Sequence, residues 1–104
     1  MTRNIDHITQ IGGKKRPKDK DGQRYRPVVI ETYRVTKSGK GHSLHARPVS
    51  EQGKFKPELD AECSRDMRRN YPTGTKFLVW AMLIHREGTD FVYTYGGWPH
   101  EIVR

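Results

Sequence analysis

Residues 75–86 read TKFLVWAMLIHR, and the conformation of this stretch decides the fold. Its apolar side chains fall at odd and even positions alike, so hydrophobic period alone does not separate a buried strand from a buried helix. Two flanking signals favour a strand. Thr73-Gly74-Thr75 offers no capping box to start a helix. Glu87-Gly88-Thr89-Asp90 reads as a hairpin turn, leading into Phe91-Val92-Tyr93-Thr94-Tyr95, which alternates as a strand does. A strand with apolar residues of both parities must be covered on both faces, or bend so that each end serves a different sheet. Residues 76–86 are therefore the expected core-former.

Downstream, Gly96-Gly97-Trp98-Pro99 breaks the pairing, and His100 to Arg104 allows a short last strand through Ile102 and Val103. Upstream, residues 57–70 carry several helix signals. Pro57 suits a first helical position, Glu58, Asp60 and Glu62 gather at one end, and Arg65, Arg68 and Arg69 gather at the other, as the helix dipole favours. Leu59, Cys63 and Met67 recur every four residues as a narrow apolar stripe, and Pro72 forbids continuation. Further upstream, Val28 to Val35 is rich in β-branched and aromatic residues and predicts a strand. A turn over Thr36 to Gly41 returns the chain through a second strand, His42 to Val49, with Pro48 near its end, where a missing N–H is tolerable on an edge.

Residues 1–25 have a different texture. Ile5, Ile8 and Ile11 recur every three residues, as in an amphipathic turn or two laid on the body, and Gly12-Gly13 stops the pattern. Residues 12–24 have no period and read as a flexible loop. The expected fold is α+β, mostly β: a small antiparallel, partly open barrel, SH3-like or OB-like, of about five strands with one short helix and a basic N-terminal loop. Residues 1–25 form its basic, flexible arm, and residues 26–104 the β-rich domain with its helix near 57–70.

Size and composition bound the function. A chain of 104 residues is one domain, and a third of it is hydrophobic, which is lean for a core. The single cysteine, Cys63, excludes an internal disulfide and a thiolate zinc set, and fits a reducing cytoplasm. Its place on the stripe with Leu59 and Met67 predicts burial rather than nucleophilic chemistry. The longest apolar run, Phe77 to Ile84, is eight residues, whereas a membrane-spanning helix needs about 20. The N-terminus has no apolar leader segment. A soluble cytoplasmic protein without membrane contact is expected.

The net charge of +8 is unevenly placed. Residues 1–50 hold twelve Lys and Arg against four acids, so the whole excess lies there, and residues 51–104 balance. Such a directed positive field attracts polyanions. The candidate nucleic-acid contacts are Lys14, Lys15, Arg16, Lys18, Lys20, Arg24, Tyr25 and Arg26 in GGKKRPKDKDGQRYRP (residues 12–27), continued by Arg34, Lys37, Lys40 and Arg47 on the first hairpin. The cations would take phosphates, and Tyr25, between two arginines, a base. Phe91, Tyr93 and Tyr95 share one strand face, where they serve as core or as a stacking row, and Trp98 is read as a contact residue or a lid on the barrel.

The leading expectation is a nonenzymatic domain that binds RNA or single-stranded DNA. A protein–protein interaction module with an acidic partner is the second. A small metal-independent RNase built on His42, His45, Arg47 and Tyr33 is the third, since general acid–base groups and a cation suffice for that chemistry. No metal site is expected: His42 and His45 are three apart and face opposite sides of a strand. No phosphate-loop or nucleophile-elbow motif occurs, and no cofactor is implied.

Overall fold

The computed structural model describes residues 7–18, 25–37, 41–86 and 88–103. Its elements in chain order are β1 (Gln10–Ile11), β2 (Lys14–Lys15), β3 (Arg26–Lys37), β4 (Gly41–Pro48), α1 (Arg65–Arg69), β5 (Lys76–Arg86), β6 (Thr89–Thr94) and β7 (His100–Val103). All the strand pairings between these elements are antiparallel. The main sheet runs β4-β3-β5-β6 and curls into an open half-barrel. β5 is its centre. One edge of β5 pairs with β3, from Arg26↔Ala81 to Glu31↔Lys76. Its other edge pairs with β6 along one half and β7 along the other.

β6 and β7 are one interrupted strand. Ala81 faces Thr94 and Val79 faces His100, so two steps along β5 take six along its neighbour. Tyr95 still donates its N–H to the Trp80 carbonyl at 3.0 Å. The surplus residues, Gly96 to Pro99, loop out, and Trp98 sits there with φ of 46°.

The mixed parity of β5 is resolved by cover on both faces. Phe77, Val79 and Ala81 point inward, into a core with Val28, Ile30, Ala46, Phe55, Met67 and Val92. Leu78, Trp80 and Met82 point outward, into a second core with Ile11 and Tyr25. A strand buried on both sides must be apolar at every position, which is what this stretch is.

The predicted helix over 57–70 is corrected to Arg65–Arg69. Ser64 caps it, accepting from the Met67 N–H at 3.1 Å. Residues 57–59 form a turn and bend, with the Leu59 N–H donating to the Lys56 carbonyl at 3.0 Å, and the backbone groups of the residues after them are spent elsewhere. The Ala61 N–H donates to the Ala46 carbonyl at 2.8 Å, the Glu62 N–H to Val92 at 3.0 Å, and the Val92 N–H to Asp60 at 2.8 Å. Asp60 to Glu62 thus bridges the free edges of β4 and β6 at one point. Leu59, Cys63 and Met67 still pack on the inner core, so the stripe foretold burial while the conformation differs.

Part of the expected flexible loop is a hairpin. Gly12 and Gly13, with φ of 56° and 80°, join β1 to β2; positive φ at both positions is what a two-residue type I′ turn requires. Ile11 is wholly buried in the outer core, and Pro17 is buried as well. The Trp80 indole N–H donates to the Lys14 carbonyl at 2.9 Å, and the Gly12 N–H to the Glu101 carboxylate at 2.9 Å. Two-residue strands are too short to carry a hydrophobic period, which is why the sequence pattern misses them. Among the described residues no helix is long and apolar enough to cross a membrane.

Candidate nucleic-acid interface

Ile11 and Lys14 are paired and share one face of the hairpin, and Gln10 and Lys15 share the other. Ile11 pins β1 to the outer core, while Lys14, Lys15, Arg16 and Lys18 are all exposed. Two of them lie over aromatic rings: the Lys14 ammonium is 5.7 Å from the Tyr95 centroid, and the Arg16 guanidinium 5.5 Å from that of Trp80. Both distances are within cation–π range. Among the described residues, no carboxylate lies within ion-pairing distance of any of the four; the two ion pairs found are Arg47–Glu31 and His85–Asp90. The ring contacts restrict two of the side chains before any ligand arrives.

The remaining cations do not all join this group. Arg26 and Arg34 are exposed on β3, eight residues apart, hence about 26 Å apart along the strand. Arg47 is committed internally: its Nε lies 3.3 Å from Glu31 Oε1, and its guanidinium stacks 4.4 Å from the Tyr33 centroid. Only the backbone of Lys37 is placed, at the end of β3. Lys20, Arg24 and Lys40 lie outside the described residues.

The aromatic candidates divide by face. Tyr25 is 4% exposed and packs between Tyr95, edge-on at 5.5 Å, and Tyr93 at 6.4 Å. Burial, then the neighbouring Tyr93, pushes its hydroxyl pKa up from 10.0. Its ring is part of the outer core and has no face open to a base. Phe91 and Tyr93 stand opposite Ile84 and Met82 on the outer face, and with Tyr95 they form a half-buried row. Trp98 belongs to the other side: it packs on the inner core, and its indole N–H donates to Thr94 Oγ1 at 2.9 Å.

Three of the four residues read as an RNase set come together. Tyr33 faces His45 across β3 and β4 with ring centroids 5.9 Å apart, and Arg47 lies two register positions away, opposite Glu31. The Tyr33 hydroxyl donates to Asp60 Oδ1 at 3.2 Å. Burial, then Asp60, raises the Tyr33 pKa, with Arg47 opposing. His42 is placed only by its backbone in β4. Of the other histidines, His85 contacts Asp90 at 2.7 Å and His100 contacts the Trp98 carbonyl at 2.8 Å. The described residues hold no group of three side chains suited to a metal ion. Cys63 is half-buried against the inner core, and burial pushes its thiol pKa up.

The signal that could have exposed the site's anchoring was Trp80. Its indole needs a hydrogen-bond partner when buried, and that partner is the hairpin backbone. No protein-family model matches the chain, and no curated protein or solved structure matches it either.

Proposed function

We propose that this protein is a nonenzymatic binding domain for RNA or single-stranded DNA, acting in the cytoplasm. One observation carries the reading: Lys14, Lys15, Arg16 and Lys18 are exposed on an anchored hairpin and the three residues that follow it, with no carboxylate partner among the described residues. Phosphates sit on these four cations. The half-buried rings of Tyr93 and Tyr95 lie on the same outer face, in reach of a partly splayed base. The curled sheet serves as an SH3-like or OB-like scaffold. Arg26 and Arg34 extend the path along β3, and Lys20, Arg24, Lys37 and Lys40 extend it on sequence grounds alone.

The test is a gel-shift series with an arbitrary single-stranded oligonucleotide over increasing salt, in EDTA. Affinity is expected to fall linearly in log salt, with about 0.7 of slope for each phosphate neutralised. No shift at low salt, with co-purification of an acidic protein, would favour the interaction module instead. The RNase reading draws on the meeting of Tyr33, His45 and Arg47, but the ion pair with Glu31 already engages its cation. Cleavage of the oligonucleotide in EDTA, abolished by His45→Ala while binding survives, would replace the proposal with that activity.

A further inference from the structure

Beside the hairpin lies a shallow, open groove of about 440 Å³, lined by His7, Ile8, Thr9, Gln10, Lys15 and Arg16. Small-ligand sites span roughly 300–1,000 Å³, so the groove has room for one nucleotide unit. Gln10 and Lys15 face each other across the β1–β2 pair, which places the amide and the ammonium side by side on one face. Ile8 packs against the outer core and gives the groove an apolar floor. Among the described residues no carboxylate lines it.

Building on the single-strand reading above, we infer that this groove holds one nucleotide of the bound strand and reads its base. The division of labour follows from side-chain chemistry. Lys15 and Arg16 are cations without a carboxylate partner among the described residues, so they take the phosphate. Arg16, held over Trp80 at 5.5 Å, loses less freedom on doing so. Gln10 offers a donor and an acceptor on one planar group, and Thr9 a hydroxyl; both are exposed and can meet a base edge. The imidazole of His7 and the floor of Ile8 supply surfaces against which a base stacks. An acidic peptide would satisfy the two cations but leave Gln10, Thr9 and His7 without a role.

The experiment is fluorescence anisotropy with labelled rA, rC and rU decamers, an abasic decamer of equal charge and a decaglutamate competitor. The native chain is expected to separate the homopolymers by about fivefold or more and to bind the abasic strand most weakly. Gln10→Ala with Thr9→Val is expected to compress that preference to within about twofold at unchanged salt slope. Lys15→Gln with Arg16→Gln is expected to weaken all strands alike and to lower the slope by about 1.4. Because Thr9 and Gln10 are exposed, loss of fold is not at issue. The amide resonances of Gln10 should also shift on titration with the preferred decamer. Equal binding of the abasic strand, equal displacement by decaglutamate, or an unchanged preference in the Gln10 and Thr9 variant would overturn the groove assignment while leaving strand binding intact. Absence of binding to every strand at low salt would remove both.

Discussion

Gly12 is where the hairpin meets the sheet. A Cβ there would come within 2.9 Å of the His100 N and 3.0 Å of its carbonyl oxygen, and φ is already +56°. Gly13 has φ of +80° but nothing within 4 Å. Both substitutions to Ala carry the left-handed cost of about 1–2 kcal/mol, and only Gly12→Ala adds a backbone clash. Urea unfolding should therefore rank Gly12→Ala clearly below Gly13→Ala in stability. At the same scale, Tyr25 and Tyr33 are tyrosines whose folded pKa values lie above 10.0. The folded state favours their neutral form, so that contribution is intact below pH 10 and is lost as pH rises through the higher folded values. Tyr25→Phe should flatten the alkaline loss of stability, measured as ΔG of unfolding from about pH 9 to 12. Neither feature is legible in the sequence, since each depends on a residue distant along the chain.

Among elements, the central strand was the most legible and the hairpin the least. Phe77 to Ile84 announce themselves because cover on both faces leaves no polar position to interrupt the run. The hairpin has two residues per strand, so its signature reduces to Gly12-Gly13 and one isoleucine. Ile11 decides between a loose arm and a packed one. It is wholly buried, so Ile11→Ala should cost about 2–5 kcal/mol, whereas truncating a side chain on a solvated arm costs almost nothing. The helix was legible in direction but not in length: dipole-matched charges and an apolar stripe describe residues 57–70, yet the backbone of Asp60 to Glu62 is recruited to join β4 and β6. Ser64→Ala should remove about 1 kcal/mol by uncapping what remains, read from the same unfolding series.

At the scale of the molecule, charge asymmetry was readable from residue counts, but its placement in space was not. Counting puts Arg47 with the free cations; the fold gives it to Glu31 and Tyr33. Counting makes Tyr25 a stacking ring between arginines; the fold buries it in the outer core. What remains is the exposed set on and just after the anchored hairpin, with Arg26 and Arg34 exposed on β3, and net charge alone would not single out the hairpin set as the binding surface proposed above.

The direct test of that claim compares two variants with the same net charge. One changes Lys14, Lys15, Arg16 and Lys18 to Gln; the other changes Lys54, Lys56, Arg65 and Arg69, four exposed cations of the second half. Single-strand affinity is measured against log salt for both and for the native chain. The hairpin variant should lose most of its low-salt affinity and about 3 units of slope, while the control keeps a near-native slope. Equal losses in the two variants would mean that total charge, and not the anchored hairpin, attracts the strand.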